Sequence, residues 1–168
     1  MATPTSLPAT FVAGDVLTAA QMNNLRGAFR ILQVVSANYA TQVTNSTSTY
    51  ADTGLTATIT PTSTSSKVLV IVNQSGCGKE GAAVGNALVL RIVRGSTDIL
   101  QFENLGGFTN SNASNYIGSC GATYLDSPAT TSATTYKTQF KNITNAAQVS
   151  VQANNSNNSS ITLMEISA

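Results

Sequence analysis

The chain has 168 residues, of which 42% are hydrophobic, so it is long enough to form one domain with a packed core. Charged residues make up only 9%, against about 25% in an ordinary soluble domain. The net charge is +1 and no basic run occurs, which excludes an electrostatic nucleic-acid interface, and no apolar run is long enough for membrane insertion. Ser, Thr and Asn replace the missing charge, so copies can pack together with little desolvation of charge.

The first sixteen residues are predicted to be extended, because Pro4 and Pro8 oppose an early helix. This start has neither a charged region nor an apolar core, so it does not resemble a signal peptide. We therefore expect synthesis in a cytoplasm without classical export.

A short amphipathic helix is predicted between Thr18 and Phe29. Thr18 is the candidate N-cap, and Gln21 completes a capping box three residues later. About three turns are marginally stable alone, so the apolar side must be covered by the β-domain or by another subunit. Leu17 and Met22 stand on either side of the cap, as in a hydrophobic staple, and Met22, Leu25 and Phe29 recur at helical spacing as one apolar stripe. These four residues form the predicted anchor or oligomer interface.

From Arg30 onward the hydrophobic period changes to two. The predicted strands are Ile31–Val35, Ser48–Tyr50, Leu55–Thr60, Lys67–Asn73, Ala87–Val93, Asp98–Glu103, Tyr116–Leu125, Thr134–Phe140, Gln148–Gln152 and Ile161–Ile166. Many short strands without intervening helices favour an all-β, antiparallel β-sandwich or jelly roll behind the N-terminal helix. We expect residues 1–30 to be an arm with a helix, and residues 31–168 to be the β-domain.

Three polar, glycine-rich or asparagine-rich segments are predicted to be loops: Gln74–Gly85, Gly106–Asn115 and Ala153–Ser160. The last is flanked by two strands and is predicted to be a hairpin tip. Cys77 and Cys120 are too far apart in sequence for a disulfide framework, which favours two small, partly buried side chains. A single disulfide is the alternative if the protein ends up outside the cell.

The chemistry of the sequence argues against an enzyme. Histidine is absent, which removes the usual general base and the commonest metal ligand. The segment Gly76–Gly81 matches the G-x-G-x-x-G pattern of dinucleotide sites, but a strand follows it instead of a helix. Glu80 stands where a phosphate loop needs Ser or Thr for Mg²⁺, so a flexible loop is the favoured interpretation and no cofactor is expected.

The charged residues are sparse and make no spaced motif. The seven carboxylates are predicted to occupy turns and rims, with a sugar-hydrolysing pair or a calcium site as weaker alternatives. Arg91 and Arg94 stand an odd number of residues apart, so they should face opposite sides of one strand as solvated charges.

Two parts of the chain resemble bacteriophage virion proteins. The segment from Phe11 to Leu25 contains Gly-Asp-Val-Leu-Thr-Ala-Ala-Gln-Met-Asn and is similar to the start of tail-fibre and minor tail proteins. The segment Ser48–Leu55, the segment Ile59–Val70 and the ending Ser160–Ile166 look like a β-domain that recurs in virion proteins. The resemblance implies a homo-oligomer, commonly a trimer, located in the virion and attached through its N-terminus to other virion proteins.

Three hypotheses follow from these features. The first is a non-enzymatic, tail-associated component whose outer loops contact a host-surface glycan or protein. The second is a capsid decoration or cement protein, which a low-charge trimer would suit equally well. The third is a carbohydrate-binding module, for which the candidate stacking residues are Tyr39, Tyr50, Tyr116, Tyr124 and Tyr136.

Overall fold

The computed structural model describes residues 31–81 and 83–167, together with the isolated residue Ala19. The predicted helix and its apolar stripe therefore lie outside the described residues, apart from Ala19, and both stay predictions.

Ten β-strands make up most of the described chain. They are β1 (Ile31–Tyr39), β2 (Val43–Asn45), β3 (Ala51–Ile59), β4 (Lys67–Glu80), β5 (Leu88–Arg94), β6 (Thr97–Gly106), β7 (Asn115–Asp126), β8 (Thr134–Asn142), β9 (Gln148–Val151) and β10 (Ser159–Ile166). A short 3₁₀ turn at Ala153–Asn155 separates the last two strands.

The strands form two sheets, and every pairing between them is antiparallel. The larger sheet has six strands in the order β1-β10-β4-β9-β2, and β7 also pairs with β4. The smaller sheet has the order β3-β8-β5-β6. The prediction of an antiparallel, all-β sandwich is thus confirmed.

The core lies between the two sheets, where strands such as β3 and β10 bury side chains at alternate positions. Strand β4 buries Val68, Val70 and Val72, and β3 buries Leu55 and Ile59 opposite them. A second cluster fills the other end of the sandwich and contains Cys77, Leu88, Leu90, Cys120, Phe140, Val149 and Val151.

Uncharged polar side chains join the two sheets inside this core. Gln74 of β4 is fully buried; its side-chain oxygen accepts a hydrogen bond from the Thr138 hydroxyl of β8 at 2.8 Å. Its amide nitrogen donates to the Ser159 hydroxyl at 3.0 Å, and Thr138 shares a hydrogen bond with Thr53. Because each of these groups has a partner, their burial avoids most of the desolvation cost.

The structure corrects the sequence interpretation at the second predicted strand. Ser48–Tyr50 is not a strand, and the short β2 lies just before it. The Asn45 side chain accepts a hydrogen bond from the backbone N–H of Thr47 at 2.8 Å, and the Thr47 hydroxyl accepts one from the N–H of Thr49. Such local side-chain hydrogen bonds favour a turn over the backbone hydrogen bonding between strands.

Two predicted loops also differ from the structure. Strand β4 continues to Glu80, through most of the segment predicted to be a loop. Gly78 permits this continuation, because a Cβ there would lie 2.5 Å from the carbonyl oxygen of Asn115 on the paired strand. The segment Ala153–Ser160 is not a hairpin tip, since β9 and β10 both pair with β4 and not with each other.

Glu165 gives the fold a specific dependence on pH. It is fully buried and accepts hydrogen bonds from the Gln33 amide and from the backbone N–H and hydroxyl of Thr62, each at 2.7 Å. Burial by itself would raise the pKa of this carboxyl, but the hydrogen bonds outweigh burial and lower the pKa to about 2.

We expect Glu165 to stabilise the fold above pH 4.5 and to lose that effect as the pH falls towards 2. The sign follows from the lowered pKa, since the unfolded chain takes up the proton first. Glu165→Gln should lose about 1–3 kcal/mol of unfolding free energy at pH 7 and show a weaker loss of stability on acidification. Urea unfolding of the wild type and the variant at pH 7 and pH 3 measures the unfolding free energies. An equal loss of unfolding free energy on acidification in both proteins would contradict this role of Glu165.

Candidate functional site

The predicted interface residues Leu17, Met22, Leu25 and Phe29 all lie outside the described residues, so the structure places none of them. It does show where the chain enters the sandwich. Ile31 pairs with Ile166 of β10, and Ile166 pairs with Lys67, the first residue of β4. We call this end of the sandwich the entry end.

An apolar row crosses the outer face of the larger sheet near the entry end. Val34 lies opposite Met164, Met164 opposite Leu69, and Leu69 opposite Leu125, so the row passes through β1, β10, β4 and β7. Val34 and Leu125, at its two ends, are 55% and 54% exposed. Ile31 and Ile71 lie beside the row and are also exposed.

The rest of this outer face is polar but almost uncharged. The row next to the apolar row consists of Ser36, Thr162, Ile71 and Thr123. The row after it consists of Asn38, Ser160, Asn73 and Gly121. Lys67 lies on this face at the entry end, where it donates to the Ser127 hydroxyl at 2.6 Å, and Glu80 lies at the far end of β4. This face is therefore suited to packing against another apolar or neutral surface.

Exposed apolar side chains also occur at the opposite end of β4. We call this set the distal tip; it consists of Val84, Leu105, Phe108, Tyr116 and Ile117. These residues flank the last residues of β4, because Gly78 pairs with Tyr116 and Lys79 with Asn115. The distal tip and the entry end thus lie at opposite ends of one strand.

Lys79 organises the loops of the distal tip. Its side chain is fully buried, and its ammonium donates to the backbone carbonyls of Ser111 at 2.7 Å, Ala83 at 3.1 Å and Thr109 at 3.5 Å. The three donors of the ammonium are therefore matched by three carbonyls. The dinucleotide and phosphate-loop interpretations fail here, since this lysine is bound to backbone and most of its segment is strand.

The carboxylates of the described chain are engaged in structural bonds. Glu80 accepts from Gln42 at 2.6 Å and from Gln148, and Glu103 accepts from the backbone N–H groups of Asn104 and Leu105. The other four have basic or polar partners. Asp52 accepts from Lys137 and Gln139, and Asp98 pairs with Arg91. Asp126 pairs with Arg94 and accepts from Tyr136, and the partners of Glu165 are given above. No pair of them faces an open cleft with both carboxylates free.

Arg91 and Arg94 face opposite sides of β5, as their spacing predicted, but they are not solvated charges. Arg91 pairs with Asp98, donates to Gln139 and lies over the ring of Tyr50 at 3.6 Å from its centre. Arg94 pairs with Asp126 at 2.6 Å, which connects β5 of the smaller sheet to β7 of the larger sheet. Arg91 thus bonds within the smaller sheet, whereas Arg94 joins the two sheets.

The candidate stacking tyrosines do not gather on one surface. Tyr136 is buried in the core, where its hydroxyl donates to Asp126 at 2.7 Å, and burial raises its pKa. Tyr39 packs against the core beside Gly54, and Tyr50 is covered by Arg91. Tyr116 is exposed at the distal tip. A carbohydrate platform of several tyrosines is therefore not formed by the described chain.

Cys77 and Cys120 lie on the paired strands β4 and β7 and are free thiols in the second core cluster. A hydrogen bond to Cys120, together with burial, raises the pKa of the Cys77 thiol. The Cys77 thiol also donates to the carbonyl of Gln74 at 3.1 Å. The prediction of two buried side chains is confirmed.

The described residues contain no cluster of three potential metal ligands among His, Cys, Asp and Glu. Within residues 31–81 and 83–167, no helix is long and apolar enough to cross a membrane.

The chain was compared with protein-family models, curated proteins and solved structures. No protein-family model matches the chain, and no curated protein matches it in sequence. Among solved structures it is similar to the VP2 subviral particle of infectious bursal disease virus, with a TM-score of 0.42 and 11% identity. The match covers 83% of this chain and 39% of that one, so this chain spans well under half of the viral protein.

We expect Lys79→Met to destabilise the fold by about 1–3 kcal/mol, because the three hydrogen bonds from the buried ammonium to the loop carbonyls are lost. Amide exchange should accelerate most around residues 107–114, whose carbonyls Lys79 binds. Lys67→Met at the exposed start of β4 is the matched control and should change stability by less than about 0.5 kcal/mol. Equal effects of the two substitutions in urea unfolding would show that Lys79 does not organise the tip.

We expect the two cysteines to be almost inert towards iodoacetamide in the folded protein. Cys77 is fully buried with a raised pKa, so it should react only after unfolding, while Cys120 should react slowly. Mass spectrometry of native and urea-unfolded samples measures both rates. Rapid native labelling of Cys77 would contradict the burial of this pair.

Proposed function

We propose that this protein is a structural, non-enzymatic component of a bacteriophage virion, homo-oligomeric and associated with the tail. In this proposal residues 1–30 attach it to other virion proteins and the sandwich projects from the attachment point. One observation carries the proposal: the chain enters at one end of β4, and the exposed apolar side chains of the distal tip lie at the other. The fourteen residues of β4 span up to about 46 Å, at roughly 3.3 Å per residue.

We further propose that the sandwich is a jelly roll. Leaving out the short β2 and β9, the two sheets have the orders β1-β10-β4-β7 and β3-β8-β5-β6. In each sheet the first strand lies next to one of the last in the chain, as expected for nested Greek keys. Jelly rolls are common in viral structural domains, which supports a virion role.

The chemistry of the described residues supports a role without catalysis. The carboxylates of the described residues have hydrogen-bond or ion-pair partners within the fold, and the buried Lys79 is bound to backbone carbonyls. An assembly component needs shape and a neutral surface more than titrating groups, and 9% charged residues suits that requirement.

We expect deletion of residues 1–30 to abolish incorporation into particles while the sandwich still folds. The assay is infection with a phage that carries the truncated gene, followed by immunoblotting of purified particles and circular dichroism of the isolated variant. Phe108→Ser together with Ile117→Ser at the distal tip is the control, and it should incorporate normally. Normal incorporation of the truncated protein would refute attachment through the N-terminus.

The copy number per particle separates the tail from the head. A tail-associated component should be present in a handful to a few dozen copies, whereas a capsid decoration protein should be present in hundreds. Quantitative mass spectrometry of purified particles measures this number, and hundreds of copies would replace our tail assignment with the head alternative.

A further inference from the structure

We propose that the apolar stripe of residues 18–29 packs in cis across the apolar row on the outer face of the larger sheet. This inference concerns the isolated chain and does not depend on a virion role. It assigns an occupant to the exposed row of Val34, Met164, Leu69 and Leu125.

The position of the row points to this occupant. Residues 1–30 precede the sandwich and lead directly into Ile31, which opens β1, the strand on which the row begins. Val34 lies only three residues further along β1. The N-terminal segment is therefore covalently connected to one end of the row. This connection gives the segment a high effective concentration at the row, which favours it over a separate partner.

The dimensions of the two apolar surfaces agree. The row crosses four adjacent strands, so its length is about 14 Å at a strand spacing of roughly 4.8 Å. In a helix, Met22 and Phe29 would be about 10.5 Å apart, and Leu17 and Phe29 about 18 Å apart, at 1.5 Å per residue. A helix lying across the strands could therefore cover the whole row with these side chains.

The order of contacts follows from the chain connection. Only Arg30 separates Phe29 from Ile31. Phe29 must then lie near β1, which places Leu25 near Met164 of β10 and Met22 near Leu69 of β4. A helix across the strands needs a turn of about a right angle at Arg30, whereas one antiparallel to β1 would need a full reversal.

The chemistry of the surrounding face fits an apolar segment. Leu69 and Met164 are half-buried, whereas Val34 and Leu125 at the two ends are more than half exposed. The neighbouring rows carry hydroxyl and amide groups, so a helix laid on this face would desolvate no charge except near Lys67. With the stripe covered in this way, residues 1–16 remain free for attachment.

Disulfide trapping in the full-length chain tests the contact. Met22→Cys with Leu69→Cys should form an intrachain disulfide under mild oxidation by copper phenanthroline at low protein concentration. Met22→Cys with Asn38→Cys is the control: Asn38 is on the same face, about 13 Å along β1 from Val34, and should not cross-link. Peptide mapping separates the new disulfide from the native cysteines, which are buried.

Hydrogen exchange gives a second measurement with no new cysteine. Leu125→Glu should accelerate exchange of residues 18–29 at least tenfold, because it places a charge under the stripe. Thr123→Glu, two residues away on the same strand and face, should leave that exchange unchanged. Both positions are exposed, so either variant should fold.

Three results are distinguishable. An intrachain disulfide with exchange that depends on Leu125 supports the proposal. Disulfides that form only between chains would overturn it in favour of a second copy on this face. Absence of both cross-linking and protection would overturn it as well and would leave the row for another virion protein.

Discussion

The fold depends on the hydrogen bonds that β4 makes along both of its edges. It pairs with β7 on one edge, and with β10 and then β9 on the other. Its inward valines fill one half of the core, and its later residues Gln74, Cys77 and Lys79 fill the other half. One strand thus sets the register of the larger sheet, the bonds between the sheets and the position of the loops at the distal tip.

The scarcity of charge is reflected in how the interior is built. Between the two sheets, this domain buries amide and hydroxyl groups that hydrogen-bond to one another around Gln74. The buried charges occur at a few points with complete sets of partners, such as Lys79 with its carbonyls and Glu165 with its donors. Removing one partner is costly at such points, because the group that remains has no access to water.

Much of the fold could be predicted because the hydrophobic period is unambiguous in the strands that face the core. The alternation in Leu55–Ile59 and Lys67–Val72 is of this kind, and the structure confirms both as strand. Prediction failed where local composition and long-range pairing disagree. Gly76 and Gly78 indicate a loop in sequence, but in the fold they let β4 pass close to neighbouring backbone.

The exposed apolar row and the contacts of the distal tip could not be predicted from local sequence patterns. The four residues of the apolar row are spread from position 34 to position 164, and only the strand order brings them together. The role of Lys79 could not be predicted either, because two of its carbonyl partners, Thr109 and Ser111, lie 30 and 32 residues away along the chain. The helix between Thr18 and Phe29 is predicted from local signals, its cap and its stripe, and stays a prediction because it lies outside the described residues.

The continuity of β4 has a mechanical consequence. A pull between the entry end and the distal tip acts along the axis of this strand, and the ladder bonds on its two edges run perpendicular to that axis. Such a load shears many bonds together instead of opening them one after another. The domain should therefore resist extension most strongly in the direction that joins the entry end to the distal tip.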